Sequence, residues 1–143
     1  MGTYTELTDH LEAKLNTIGK LAEVIDNPEL DFENFPVATI TPIEGESDYE
    51  TNSEDERVYA YEIGLYYETK NTGIKKALRA LYDCSDDVLD SFATDKQLSG
   101  LSLPTGKTLL VVKPVFAGWG EVPDKDLIFT RINLFCVISC DSG

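Results

Sequence analysis

The chain is poor in the side chains most enzymes use for chemistry: it has a single histidine, His10, and three cysteines in 143 residues. No Ser-His-Asp or Cys-His set can be assembled without His10. His10 lies beside Asp9 and off the apolar stripe of the first helix, so an exposed helix face is expected for it. No Cys/His cluster has zinc spacing, and neither a P-loop nor a dinucleotide fingerprint is present; Gly118-Trp119-Gly120 is too short to cradle a phosphate. An odd cysteine count cannot complete a disulfide framework within one chain. On a strand, Cys136 and Cys140 would share a face ~13 Å apart, too far for a direct bridge. The cysteines are expected as small buried hydrophobes.

Basic residues are also scarce, with 12 Lys and Arg against 26 Asp and Glu, a net charge of −14 and a pI near 4.3. Such a surface repels a phosphate backbone, which argues against tight nucleic-acid binding. No apolar run reaches the length of a membrane span. The start, MGTYTELTDHLEAKL, lacks the basic beginning and apolar middle of a signal peptide, so folding in a cytoplasm is expected. What is present suits one folded domain over residues 1–143: 42% of residues are hydrophobic and 10% aromatic, enough for a real core.

The N-terminal segment, residues 4–27, reads as a helix. Leu7, Leu11, Leu15, Ile18, Ala22 and Ile25 recur at three and four, and Asp26-Asn27-Pro28 stops the pattern. Pro36 to Thr41 reads as a strand framed by prolines. Arg57 to Tyr67 reads as a second, with Tyr59, Tyr61, Ile63, Leu65 and Tyr67 on its more apolar face. Ile74 to Phe92 reads as a second helix that buries Ile74, Ala77, Leu78, Leu81, Val88, Leu89 and Phe92. Lys107 to Ala117 reads as a third strand, where Pro114 implies an edge or a bulge, and residues 118–124 as a turn. Leu127 to Cys140 alternates strictly, as a half-buried strand does. The expected fold is α+β: a four-stranded mixed or antiparallel sheet with two long helices packed on one face.

Two segments carry unusual charge. Between the first two strands, residues 43–56 hold Glu44, Glu46, Asp48, Glu50, Glu54, Asp55 and Glu56 and no basic residue. A solvated hairpin loop has this composition, and so does a contact surface. Its acidic residues lack the order of a calcium loop. In the second helix the charges oppose the helix dipole: Lys75, Lys76 and Arg79 stand near the start, and Asp83, Asp86, Asp87 and Asp90 near the end. Asp86 with Asp90 is better read as a solvated helix face than as a catalytic pair. The basic start and the acidic loop are the candidate contact regions, with Tyr66 and Trp119 as exposed aromatic alternatives. No catalytic, metal-binding or cofactor-binding residue is assigned, and no cofactor is expected.

FPVATITP (Phe35–Pro42), ESDYETNSEDERVYAYEIGLYYE (Glu46–Glu68), DDVLDSF (Asp86–Phe92) and TLLVVKPVFAGWGEVPDKDLIFTRINLFCVIS (Thr108–Ser139) follow one another in this order. The sequence resembles the tail terminator, or tail completion, proteins of long-tailed (siphovirus-type) bacteriophages from Phe35 to Ser139. The resemblance implies a small α+β domain, not an enzyme, that assembles with itself as a hexameric ring. That ring would cap the head-proximal end of the tail tube, end tube polymerisation and meet the head–tail connector protein. Its partners would be itself, the tail tube protein and the connector, with DNA as passing cargo and no membrane. Its place would be the virion, after assembly in the host cytoplasm. A ring joins one patch to a different patch on the next subunit, which the acidic loop and the basic helix start would supply. Lumen-facing carboxylates would let DNA slide without adhering. The competing expectations are a head–tail connector component of the neck and a monomeric bacterial binding module.

Overall fold

The strict alternation of the last strand sits at the heart of a five-stranded sheet. The structure, a computed structural model, describes residues 3–25, 32, 34–43, 56–95, 98, 100–101, 103–104, 106–122 and 124–140. Along the chain these form α1 (Thr3–Leu15), β1 (Glu23–Ile25), β2 (Val37–Pro42), β3 (Glu56–Glu68), α2 (Ile74–Ala93), β4 (Lys107–Val122) and β5 (Leu127–Cys140). The strand order is β1-β2-β3-β5-β4. The pairs β2–β3, β3–β5 and β4–β5 are antiparallel and β1–β2 is parallel, so the sheet is mixed.

One face of the sheet is covered by both helices. Tyr59, Tyr61, Ile63 and Leu65 of β3 join Ile128, Ile132, Leu134, Cys136 and Ile138 of β5 there. Leu7, Leu11 and Leu15 of α1 and Ala77, Leu81, Cys84, Val88 and Phe92 of α2 close over them. Each fully buried leucine contributes about 1.5–3 kcal/mol, so the three on α1 suffice to dock a 13-residue helix that is short for independent stability.

Polar bonds fix the register of this packing. The Tyr61 hydroxyl donates to the Tyr4 carbonyl (3.1 Å) and accepts from Thr8 Oγ1 (3.2 Å), tying α1 to β3. Burial pushes the Tyr61 phenol well above its ordinary pKa. Under α2, Ser85 Oγ donates to the Leu81 carbonyl (2.7 Å) and lies 2.8 Å from Thr130 Oγ1. Serine has one hydroxyl proton, so Thr130 is the donor in the second bond.

The sheet has five strands where four were expected, and the N-terminal helix does not run through residues 4–27. It ends at Leu15 because Asn16 and Thr17 turn their side chains onto the last carbonyls. Asn16 Nδ2 donates to Glu12 O (3.1 Å) and Thr17 Oγ1 to Lys14 O (2.6 Å). The three-and-four spacing continues through this turn because Ile18, Leu21 and Val24 still pack on the core. Among the described residues only α2, at 20 residues, is a long helix. The strand read as ending at Ala117 continues to Val122, and Gly118-Trp119-Gly120 lies inside it. Gly120 is there because the Phe129 ring lies over it: a Cβ would stand 2.7 Å from Phe129 Cζ.

Candidate interaction surface

Two edges of the sheet differ sharply. β1 presents three residues and β4 sixteen. A long edge strand leaves a row of backbone N–H and C=O groups without a ladder partner. β4 is irregular at two points: Leu110 and Ala117 are extra residues that interrupt its register with β5. Pro114 sits on this edge, as its missing N–H requires. From Lys107 to Gly120 the strand carries two lysines and no carboxylate, in a chain of net charge −14.

The exposed large apolar side chains collect here. Among the described residues they are Tyr4, Ile74, Tyr82, Leu110, Val115, Phe116 and Trp119. All but Tyr4 stand on β4 or on α2, which packs against it. Trp119, read as an exposed aromatic, is 50% exposed. Tyr82 of α2 meets Phe116 of β4 at 6.1 Å between ring centroids. Ile74, expected in the core, is 49% exposed because it opens the helix beyond the last covering turn.

The first turn of α2 has no acidic residue and its last turn no basic one. Gly73 precedes it with no side-chain cap. The approach is held by Glu68, which accepts from Asn71 N (2.9 Å) and Thr72 Oγ1 (2.6 Å); these bonds hold its carboxyl below the usual range. Lys75, Lys76 and Arg79 are all exposed, and none makes an ion pair among the described residues. Lys75, Arg79 and Tyr82 follow at four and three, which places them on one stripe of the helix. Beside this helix start lies a cavity of about 240 Å³ lined in part by Ile74, Glu121, Asp124 and Asp126. At the far half of α2, Asp87 pairs with Lys20 at 3.2 Å, which raises the pKa of the ammonium.

Glu44, Glu46, Asp48, Glu50, Glu54 and Asp55 lie outside the described residues, as does the side chain of Glu56, which opens β3. Tyr66 is not the open aromatic expected. It is half-buried between Phe32 (5.2 Å) and Phe129 (5.9 Å), and its ring covers Gly64. Arg131 stacks over Phe129 at 4.6 Å, completing an aromatic row on the sheet face away from the helices. His10 is half-buried rather than exposed, with Cε1 3.6 Å from where a Cβ on Gly100 would stand. Cys84 and Cys136 are free and buried, as expected of small hydrophobes. Among the described residues no group of His, Cys, Asp and Glu is placed to hold a metal ion.

Sequence reasoning did not single out Phe116, Tyr82, Leu110 or Val115 as surface residues. Exposure of apolar side chains on β4 depends on its being the last strand of the sheet, for which Pro114, read as an edge or a bulge, was the one local signal.

No protein-family model matches the chain. No curated protein matches it either. Among solved structures, a chain from the virion of a native gene transfer agent particle shares its fold. The TM-score is 0.53 at 16% sequence identity, over 96% of this chain and 92% of that chain. At that identity the likeness is one of fold. It extends over nearly the whole of both chains.

Proposed function

We propose that this chain is a structural subunit of a phage-like virion. In this reading it forms a ring at the head-proximal end of the tail tube, ends tube polymerisation and joins the tail to the head. It acts by assembly and not by catalysis. The observation that carries the virion role is the fold likeness to a virion chain over nearly the full length of both. The terminator role rests on the resemblance from Phe35 to Ser139. Among the described residues six of the seven exposed large apolar side chains stand on β4 or α2, the helix that also carries Lys75, Lys76 and Arg79, and this concentration supports an assembling subunit. A head-to-tail ring needs a patch that differs from the one it meets.

Sedimentation and negative-stain imaging of the purified chain, alone and with tail tubes, test the ring. The expected species has about six times the 15.9 kDa chain mass and appears as closed rings on tube ends. A chain that stays monomeric in the presence of tubes, and leaves their ends bare, would overturn the reading. Rings that bind empty or filled heads and ignore tubes would instead favour a neck component.

A further inference from the structure

The charges of α2 are sorted along one open stripe. Lys75, Arg79, Tyr82, Asp86 and Asp90 follow at four, three, four and four, which keeps them on one side of the helix. All five are exposed, while the helix buries its other side through Leu81, Val88 and Phe92. Two cations stand in the first half and two carboxylates in the second. Tyr82 lies between them, its ring 6.1 Å from that of Phe116. Among the described residues none of the four charges makes an ion pair. Within one helix this order is unfavourable: Lys75 repels Arg79, Asp86 repels Asp90, and both pairs oppose the helix dipole. Lys75 cannot reach Asp90 of its own helix, because fifteen residues of rise set them about 22 Å apart.

The stripe is complementary to itself when reversed. Lys75 and Asp90 are equidistant from the midpoint between Tyr82 and Asp83, and so are Arg79 and Asp86. An antiparallel copy of the helix centred on that midpoint therefore sets each cation opposite a carboxylate. Each charge also gains the favourable end of the other helix dipole: Lys75 comes beside a C-terminus and Asp90 beside an N-terminus. Exposed ion pairs are individually weak, so burial at the midpoint must carry much of the affinity. Tyr82 and Phe116, each 39% exposed, supply the apolar surface there.

We infer that α2 is a homodimer surface, on which α2 of a second copy lies antiparallel, with Lys75 against the partner's Asp90 and Arg79 against the partner's Asp86. The contact is twofold, one patch meeting itself, whereas the proposed ring joins two different patches. The inference therefore does not rest on the ring.

The test uses the full chain. A carbodiimide joins lysine amines to carboxylates as amides, and the digest is read by mass spectrometry. A Lys75–Asp90 link is expected, which the length of the helix forbids within one chain. Its yield should fall severalfold as salt rises past 0.1 M, where exposed charges are screened within about 10 Å. Two variants supply a second measurement. Lys75→Glu with Arg79→Glu makes the stripe wholly acidic, and Asp86→Lys with Asp90→Lys makes it wholly basic. In sedimentation each alone should dimerise at least about tenfold more weakly than the parent, since all four ion pairs become repulsive. An equal mixture of the two should regain the parent's affinity, because every pair is restored between them; that recovery also shows both variants to be folded. The inference is overturned if the parent gives no Lys75–Asp90 link, if each variant dimerises as the parent does, or if two folded variants gain nothing on mixing. Larger assemblies without the link assign α2 to a different patch and overturn it as well. Lys75–Asp90 links in a chain that never closes on tube ends keep the contact and sink the ring.

Discussion

The ring of Phe129 on β5 lies over Gly120, its partner on β4, with Cζ 2.7 Å from where a Cβ would be. The ring is held in that position by Tyr66 on one side and the Arg131 guanidinium on the other. Gly120→Ala must displace the ring and is expected to lower stability by about 1 kcal/mol, at the low end for overpacking, because the ring's outer edge can swing. In a Phe129→Leu background the same substitution should cost much less. A double-mutant cycle in urea checks this, and equal costs in both backgrounds would show that the contact does not constrain Gly120.

Ser85 and Thr130 join α2 to β5 through a bond whose direction is fixed by the Leu81 carbonyl. Removing each partner therefore has a different effect. Thr130→Val leaves Ser85 bonded to Leu81 and should cost about 1 kcal/mol; Ser85→Ala strands a buried Thr130 hydroxyl and should cost about 1–3 kcal/mol. Thermal unfolding of the two variants should show Ser85→Ala the less stable.

The period-two pattern of β5 and the three-and-four stripe of α2 were legible because each element uses one periodicity and buries one face along its whole length. The two hairpin pairings were legible for the same reason. The N-terminal segment was misread because apolar spacing continues across a change of element: Leu15 belongs to a helix and Val24 to a strand, and both face one core. Gly118 and Gly120 read as a turn because Gly120, which admits the Phe129 ring, and Gly118, which takes a φ of 107° at a break in the β4 register, look locally like glycines chosen for a bend. The basic start of α2 was visible, but its apolar neighbours on β4 become a surface only once the strand order is known.

Two buried thiols make stability pH-dependent on the alkaline side. Burial pushes Cys84 to about 11 and Cys136 to about 12, from an ordinary 9.0. For an acid with a raised folded pKa, the unfolded chain ionises first. The stabilisation is therefore complete below about pH 9 and is lost as pH climbs toward the folded values. Tyr61, raised by burial above 10.0, acts in the same direction. Urea midpoints should be level near neutrality and fall steadily above about pH 9, with a shallower fall in Cys136→Ala. A flat alkaline limb would contradict the burial of these groups.

His10 tests the assignment to assembly rather than chemistry. It is half-buried near Gly100, so His10→Ala should cost a fraction of a kcal/mol and leave complementation of the biological activity intact. Loss of activity in a variant that stays folded would reopen an enzymatic reading.

The proposed role, stopping a growing tube and joining it to a head, is tested most directly by the length distribution of tails, by electron microscopy, in particles assembled without this chain. Tails of uncontrolled length that are not joined to heads are expected, restored to uniform joined tails when the chain is supplied in trans. Tails of normal length on intact heads in its absence would contradict it.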